Sequence, residues 1–216
     1  MDRDHEKRIA AEAAAALVED GMRVGLGTGS TVAHLLPALA RRELTLRCVA
    51  TSPATEQAAR ELGLAVEPFT GRDALAELDI AIDGADQVAP SDWVVKGGGA
   101  AHTREKAVAA AARRFVVIVS SDKLVQRLLP PIPLELLEFG LASTLRRLGS
   151  VELRDVPHSP DGGVIADFTG AFDDPGKLAA WLSEITGVVE HGLFSPALVS
   201  DVVIGRGDDV EHRRVA

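Results

Sequence analysis

In VVKGGGAAHTREKAVAAAARRFVVIVSS, residues 94–121, one strand, one helix and a second strand follow one another and indicate the fold class. The stretch opens with an apolar strand that ends at Lys96 and three consecutive glycines, and it continues as an alanine-rich helix over 103–114. The strand that follows, 115–121, is apolar without the alternation of a half-exposed strand, so both of its faces are expected to be buried. Strand, covering helix and buried strand together predict a parallel βαβ unit.

The chain upstream repeats this alternation of helices and short apolar strands. Helices are predicted over 5–20, which stops at Gly21, and over 31–44 and 55–63. Short strands are predicted over 22–27, 46–51, 64–69, 78–83 and 93–96. We therefore expect an α/β fold, with a Rossmann-like, mostly parallel sheet and helices on both faces.

The pattern changes at LLPPIPLELL, residues 128–137, where three prolines in four residues can continue neither a helix nor a central strand. Beyond it we expect strand 133–138, helix 139–149, strands 151–156 and 164–170, helix 175–187 and strand 188–194. This β-α-β-β-α-β order is the split βαβ, ferredoxin-like pattern of a small α+β domain. A last strand over 197–205 and a polar tail are expected to return to the first sheet. The predicted domains are residues 1–130 plus 199–216, and residues 131–198.

Composition argues against several classes of partner. The 216-residue chain has a net charge of −9, whereas nucleic-acid-binding proteins present a basic face to the phosphates. No apolar run approaches the roughly 20 residues of a membrane span, and the mixed charges of MDRDHEKRIA do not fit a signal peptide. Cys48 is the sole cysteine, so no internal disulfide can form. We expect a cytoplasmic protein with neither nucleic acid nor a membrane as partner.

Ligands of open parallel sheets bind beyond the carboxyl ends of the strands, so the loops that follow the predicted strands are the candidate binding sites. The first is GLGTGST, residues 25–31, whose glycines expose backbone amides and whose Ser30 and Thr31 open a helix. Such a loop favours an anion, although a simple glycine turn with a helix cap explains it equally well. It matches neither the dinucleotide fingerprint nor the Walker A loop, so one phosphate is the expected ligand.

Two further loops carry ionisable groups. In DGAD, residues 83–86, two carboxylates follow a buried strand and could exchange protons with hydroxyls, or could serve only as a local turn. Lys96 would meet them if the two strands are neighbours, and Gly97–Gly99 would leave amides free for an oxyanion. Glu105 falls in the first turn of the next helix, where a surface position is the plainer interpretation. There the pKa of Glu105 would be lowered unless burial offsets the helix.

The fourth loop is SSDKLV, in which Lys123 follows a strand and would otherwise be an ordinary solvated lysine. His34, His102 and His191 show no metal-ligand spacing with one another or with acids. Neither a metal nor a cofactor is expected.

These four loops, in this order, resemble the signature of the type A ribose-5-phosphate isomerase family. The motifs are GTGST, DGAD, KGGGAA with TREK, and a lysine after the following strand. The resemblance implies reversible conversion of ribose 5-phosphate to ribulose 5-phosphate through an enediolate, without a cofactor. It implies that Glu105 moves the proton between C2 and C1, and that Asp83, Asp86 and Lys96 open the sugar ring and shift protons among its oxygens.

The same resemblance assigns the substrate contacts. The enediolate would be stabilised by Lys96 with Gly97, Gly98 and Gly99. The phosphate would be held by Thr28, Gly29, Ser30, Thr31, Lys123 and Lys7, and the substrate would also contact Gly84 and Ala85. The small domain is expected to contribute to a homodimer or homotetramer.

Two positions near the site depart from the family pattern, and in the small domain DGG, residues 161–163, replaces the more usual Asn-Gly-Asn turn. Gln87 stands where that family usually has a glutamate after DGAD, which removes one charge beside the acid pair. His102 stands where an apolar residue is common.

Two other classes of protein remain as alternatives. A sugar-phosphate sensor of related fold would carry a DNA-binding helix-turn-helix, for which there is no room before residue 22, and would not need Glu105 with both aspartates. An acyl-CoA transferase relative would need a nucleophilic glutamate at a strand end and a longer chain.

Overall fold

The computed structural model describes residues 2–215. The helices are α1 (Arg3–Ala15), α2 (Val32–Ala40), α3 (Pro53–Glu61), α4 (His102–Ala111), α5 (Leu141–Leu148) and α6 (Pro175–Glu184), with a short 3-10 turn at Ser121–Lys123. The strands are β1 (Arg23–Leu26), β2 (Arg47–Ala50), β3 (Ile80–Gly84), β4 (Gln87–Val88), β5 (Val94–Val95), β6 (Phe115–Ser120), β7 (Ile132–Leu136), β8 (Val151–Leu153), β9 (Val164–Phe168), β10 (Val188–His191), β11 (Leu193–Phe194), β12 (Asp201–Arg206) and β13 (Asp209–Arg214). Within residues 2–215, no helix is long and apolar enough to cross a membrane.

The main sheet has six strands in the order β13-β12-β6-β3-β1-β2. All neighbouring strands run parallel except β13, which pairs antiparallel with β12. The α/β fold with a mostly parallel sheet is therefore confirmed. No strand was predicted for the polar tail. It forms β13, which pairs with the edge of β12 that β6 leaves free.

Helices cover both faces of this sheet, and alternate side chains of the central strands serve the two layers. On β3, Ile80 and Ile82 join the cluster that contains α1 and α2, whereas Ala81 joins the cluster that contains Val108 of α4. The central strands are consequently buried on both sides, which is why their sequences are continuously apolar.

The small sheet has the order β10-β7-β9-β8, with every neighbouring pair antiparallel. Helices α5 and α6 pack on it and share an apolar core that includes Leu134, Leu148, Phe168, Leu178 and Leu182. The predicted split βαβ arrangement is confirmed. The sheet begins at Ile132, directly after the proline-rich stretch.

Three predictions about individual strands are wrong. Residues 64–69 form no strand, and only a single bridge joins Val66 to Cys48 of β2. The segment 93–96 contributes only the two-residue β5, which lies in a separate sheet of order β11-β5-β4. Residues 188–194 divide into β10 and β11, which belong to different sheets, with Gly192 between them. A Cβ at Gly192 would meet the backbone oxygen of Lys96 at 2.2 Å, so the crossing requires glycine.

Glu6 links α1 to the turn that follows β6 and to the turn between β12 and β13. The carboxylate is buried, and it accepts hydrogen bonds from the Gly207 amide at 2.8 Å and from the Ser121 amide and hydroxyl at 2.9 and 2.7 Å. The hydrogen bond from Gly207 is the largest cause that lowers the pKa of Glu6. Glu6 thus holds the turn that carries Lys123 against α1.

We expect Glu6→Gln to lower the free energy of unfolding by about 1–3 kcal/mol, because an amide NH₂ would face a backbone donor. Since the folded pKa of Glu6 is lowered, its contribution is present above the ordinary glutamate pKa and is lost as pH falls through the folded value. Urea unfolding at several pH values measures both effects. Glu12→Gln, on the exposed side of the same helix, is the control and should change stability by less than about 0.5 kcal/mol. An equal loss in both variants would contradict the assignment.

Candidate active site

The carboxyl ends of β1, β3 and β6 open into a cavity of about 120 Å³. Its walls come from all four loops that the sequence singled out. Of the site residues named from the sequence, all line the cavity except Asp83, which lies behind it, and Lys7, which touches its rim. The lining residues are Thr28, Gly29, Ser30, Thr31, Gly84, Ala85, Asp86, Lys96, Gly97, Gly98, Gly99, Glu105 and Lys123.

A buried lysine bridges two buried carboxylates at the floor of the cavity. The Nζ atom of Lys96 lies 3.0 Å from Oδ2 of Asp83 and 3.3 Å from Oε2 of Glu105, and it also donates to the Gly84 carbonyl. The side chains of Lys96, Asp83 and Glu105 are only 3%, 3% and 6% exposed. Two carboxylates therefore compete for one ammonium group in a site from which most water is excluded.

This burial decides the protonation of the cluster. Burial, followed by the charge of Asp83, raises the pKa of Glu105 to about 8, although Lys96 opposes the shift. Burial likewise raises the pKa of Asp83 against the opposing pull of Lys96. Burial alone would lower the pKa of Lys96, but the two carboxylates outweigh it and the pKa is raised. The lysine thus remains charged, while Glu105 titrates in the range where a base can exchange protons.

Lys96 reaches Asp83 by a route that the sequence did not predict. The strands β3 and β5 are not neighbours, because β5 belongs to the sheet of order β11-β5-β4. The Lys96 amide instead donates to the Gly192 carbonyl at 2.9 Å, beside β11. The ring of Phe194 on β11 packs near Lys96, with Nζ 5.7 Å from the ring centroid. Residues 192–194, which continue from β10 of the small sheet through β11, therefore support Lys96.

The loop after β1 combines an anion pocket with a link to Asp83. The Thr28 amide donates to Oδ1 of Asp83 at 3.0 Å, and a Cβ at Gly27 would collide with this carboxylate at 2.0 Å. Within residues 2–215, the amides of Gly29, Ser30 and Thr31 have no hydrogen-bond partner, and they precede α2, whose amino end favours negative charge.

Side chains around this loop arrange its hydroxyl groups. The Thr28 hydroxyl donates to Ser52 at 2.7 Å and lies 3.0 Å from the hydroxyls of Thr51 and Thr55, so it belongs to a hydroxyl cluster at the cavity wall. The Nζ atom of Lys7 donates to the Ser30 hydroxyl at 2.9 Å. Lys7 on α1 and Lys123 thus bring positive charge to the pocket from two sides.

The loop after β5 is shaped by its glycines. Gly97 has φ +105° and Ala100 has φ +60°, so the chain turns twice through the left-handed region. The Gly98 amide donates to Oδ2 of Asp86 at 2.7 Å, which holds this exposed carboxylate against the loop. In the described part of the chain, the Gly99 amide has no hydrogen-bond partner.

Glu105 faces the cavity because the residues beside it in the sequence TREK bind α4 to other parts of the structure. Thr103 donates to Glu135, Arg104 forms two bonds of 2.6 and 2.8 Å with Asp161, and Lys106 lies 2.7 Å from Glu190. All three acceptors belong to the small sheet or its loops. No sequence motif marks these carboxylates, and their charge alone does not distinguish them from the other acidic residues of the chain. Gly25 of β1 also admits α4 closely, because a Cβ there would meet Val108 at 2.4 Å.

The two departures from the family pattern near the site lie outside the cavity. Gln87 donates to the Leu129 carbonyl at 2.8 Å and accepts from the Leu129 amide at 2.9 Å, so it fastens β4 to the proline-rich segment. A glutamate could accept but not donate in this pair. His102 is fully buried beneath Gly97, and burial lowers its pKa to about 4, so the ring is neutral near pH 7.

A carboxylate–lysine–carboxylate cluster beside a pocket of backbone amides defines the class of protein, an α/β enzyme that moves protons on a small anionic substrate. Residues 47–209 match the model of the family described as ribose 5-phosphate isomerase A (phosphoriboisomerase A). The ribose-5-phosphate isomerase A of Caulobacter sp. (strain K31) is 43% identical, over 97% of this chain and 98% of that protein.

Solved structures agree with this match. Ribose 5-phosphate isomerase A from Neisseria gonorrhoeae has a TM-score of 0.92 at 31% identity, covering 99% of this chain and 98% of that one. A D-ribose-5-phosphate isomerase in complex with phospho-erythronic acid has a TM-score of 0.90 at 32% identity, covering 99% and 100%. The chain belongs to the ribose 5-phosphate isomerase A family. The resemblance drawn from the four loops and the isomerase class that it implied are thereby confirmed.

We expect Gln87→Glu to leave turnover within about twofold, because residue 87 does not line the cavity. The variant should lose about 1 kcal/mol of stability, since one hydrogen bond to Leu129 is replaced by a repulsive pair of oxygens. Ketose formation and urea unfolding measure the two effects. Gln126→Glu adds the same charge at an exposed position and serves as the control. A large change in turnover without a change in stability would mean that the charge at residue 87 acts on the site.

Proposed function

We propose that this chain interconverts ribose 5-phosphate and ribulose 5-phosphate, with Glu105 as the base that moves the proton between C2 and C1. The observation that carries the proposal is the buried cluster of Glu105, Lys96 and Asp83 beside the amide-lined pocket. Family membership supports the reaction, and the burial of Glu105 supports its role. A carboxylate with a pKa of about 8 is a far stronger base than an exposed one.

The phosphate is proposed to bind the loop Thr28–Thr31. The amides of Gly29, Ser30 and Thr31, which have no partner among residues 2–215, supply donors. Lys7 and Lys123 supply positive charge in a chain of net charge −9. Phospho-erythronic acid, bound by a related isomerase, is proposed to occupy the same pocket. Gly84 and Ala85 line the path between this loop and Lys96.

Ring opening comes first, because the sugar reaches the enzyme mainly as a furanose. One proton leaves the C1 hydroxyl and one is delivered to the ring oxygen, which converts the hemiacetal to an aldehyde and a C4 hydroxyl. Asp86 is the exposed acceptor at the cavity wall, and Lys96 with Asp83 is the buried donor pair. The Gly98 amide holds the Asp86 carboxylate in position.

Isomerisation then needs a base and a stabilised oxyanion. The Glu105 carboxylate takes the proton from C2, the C–H electron pair forms the C1=C2 double bond, and the carbonyl electrons move to O1. Lys96 and the free Gly99 amide are proposed to stabilise this negative charge. Transfer of the O2 proton to O1 and return of the Glu105 proton to C1 give the ketose. Asp86 then releases to solvent the proton that it took during ring opening, and the Lys96–Asp83 pair takes up one proton in its place, which regenerates the enzyme.

The alternative is a sugar-phosphate sensor, which would bind the same ligand without turnover. Three buried ionisable groups are costly to desolvate, and binding of a phosphate needs none of them. Their retention as one connected cluster, in which Lys96 contacts both carboxylates, favours the enzyme.

We also propose a homodimer or homotetramer that uses the small domain, residues 131–198, while residues 1–130 and 199–216 form the catalytic domain. Phe139 is 88% exposed, and Leu137 and Val189 are about half exposed beside the edge strand β10 of the small sheet. A second copy would remove this apolar surface from water. A cytoplasmic location is proposed as well, because the one cysteine, Cys48, is buried and unpaired.

We expect purified protein in excess EDTA to form ribulose 5-phosphate from ribose 5-phosphate, and Glu105→Gln to be slower by roughly 10²–10⁴-fold, because the base is lost. The amide retains the shape of the side chain, so the binding of phospho-erythronic acid should persist in the variant. Binding without turnover by the unaltered protein would favour the sensor. Unchanged turnover in Glu105→Gln would remove Glu105 from the role of base.

The pH dependence tests the state of the base. Because burial and Asp83 raise the pKa of Glu105 to about 8, the base is mostly protonated at neutral pH, and kcat/KM should rise with pH through about 8. The charge of Asp86 adds to this shift, so Asp86→Asn should move the midpoint to lower pH while also lowering the rate. A midpoint near 4.5 in the unaltered protein would be inconsistent with a buried base.

A further inference from the structure

We propose that Arg154, which follows the small-sheet strand β8, is a positioning residue that orients the Gly98 amide toward Asp86 and the Gly99 amide toward the reacting end of the substrate. The inference rests on the proposed function, and it adds a residue that no motif of the sequence marks. Arg154 follows β8, and its guanidinium extends to the loop that carries Lys96.

The planar guanidinium of Arg154 joins β9 of the small sheet to the loop Gly97–Gly99, with one of its sides bound to each. Its Nε and Nη2 atoms donate to the two oxygens of Asp167 on β9, at 2.7 and 2.6 Å. Its Nη1 atom donates to the carbonyls of Gly97 and Gly98, at 2.8 and 3.2 Å. The side chains of Arg154 and Asp167 are 17% and 19% exposed, so the pair is largely shielded from solvent.

These carbonyls determine where the amides of the loop point. Within one planar trans peptide the C=O and N–H bonds point in opposite directions. Arg154 holds the Gly97 carbonyl, so the Gly98 amide is directed away from it, toward Oδ2 of Asp86. It also holds the Gly98 carbonyl, so the Gly99 amide, which has no partner within residues 2–215, is directed away from Arg154 as well.

Two further hydrogen bonds hold the loop: the Ala100 amide donates to the Gly97 carbonyl at 2.9 Å, and the Gly98 amide donates to Asp86 at 2.7 Å. Gly98 and Gly99 form a thin wall between the site cavity and a second cavity of about 600 Å³, which Arg154, Val156 and His158 line on the other side. Both glycines are exposed and carry no side chain to pack, and glycine has more conformational freedom than any other residue. Among residues 2–215, Arg154 is the only donor to the Gly98 carbonyl, so it supplies an orientation of the Gly98–Gly99 peptide that the local turn does not.

Only arginine fits both sets of acceptors. Its guanidinium spreads five N–H donors in a plane, so a carboxylate and a carbonyl can be bound at once, whereas the single ammonium of lysine cannot reach both. The fixed positive charge also polarises the peptides whose amides face the substrate. This effect stabilises an oxyanion more than the neutral aldehyde that precedes it.

The test compares Arg154→Met and Arg154→Lys with the unaltered protein. We expect kcat to fall by roughly 10–100-fold in Arg154→Met, with KM for ribose 5-phosphate within about threefold, because the phosphate loop is untouched. Inhibition by phospho-erythronic acid, whose planar carboxylate stands for the enediolate oxygens, should weaken by a similar factor. Arg154→Lys keeps the charge but should recover little, because the fork is lost.

The matched control is Arg23→Met, which removes another two-bond arginine–aspartate pair of similar exposure, at the opposite end of the main sheet. Thermal unfolding identifies any general loss of stability. The proposal is overturned if Arg154→Met retains both kcat and inhibitor affinity, or if Arg23→Met loses as much. If the unaltered protein binds but does not turn over, the proposed function fails, and calorimetry with phospho-erythronic acid still decides whether Arg154 orients the loop.

Discussion

The ammonium group of Lys96 is buried between the carboxylates of Asp83 and Glu105, and the surrounding elements are arranged to hold these three groups together. A lone charge in such a place would cost several kcal/mol, so each member of the cluster is tolerable only while the others are held within about 3 Å. Three separate segments of the chain must therefore arrive together: the end of β3, the end of β5 and the first turn of α4. The glycines at 25, 27 and 192 serve this convergence by allowing close approach.

The small sheet and its loops contribute to the site without lining the cavity. Its carboxylates at 135, 161 and 190 hold the side chains on either side of Glu105, and Arg154 reaches the opposite side of the cavity wall. A helix of ten residues such as α4 is not rigid by itself, because isolated helices of this length are marginal in water. The position of the base is thus set by tertiary contacts on both sides of the helix.

Much of this arrangement could be predicted from the sequence, because parallel strands bring the loops at their carboxyl ends together whatever the loops contain. GTGST, DGAD and Lys123 were located on that ground alone. Lys96 does lie beside Asp83, as expected, but not because β5 and β3 are neighbouring strands. The Lys96 backbone is instead hydrogen-bonded to Gly192, almost a hundred residues away in the sequence. Residues 64–69 have the composition of a strand but make one bridge only, because Pro68 lacks the amide that a longer ladder needs. Arg154 and Glu6 act through partners distant in sequence, and such pairings leave no local pattern.

The order of the main sheet has a consequence for synthesis of the chain on the ribosome. Strand β12 lies between β6 and β13, and the Gly207 amide between β12 and β13 donates to the Glu6 carboxylate. Helix α1 therefore gains this hydrogen bond only once β12 and β13 have been synthesised. The turn bearing Lys123 is fastened by the same carboxylate. A nascent chain can assemble β1, β2, β3 and β6 early, but the sheet gains its remaining strands only after residues 201–214 have left the ribosome. Truncated products would therefore leave one edge of β6 unpaired, a surface that chaperones and proteases recognise.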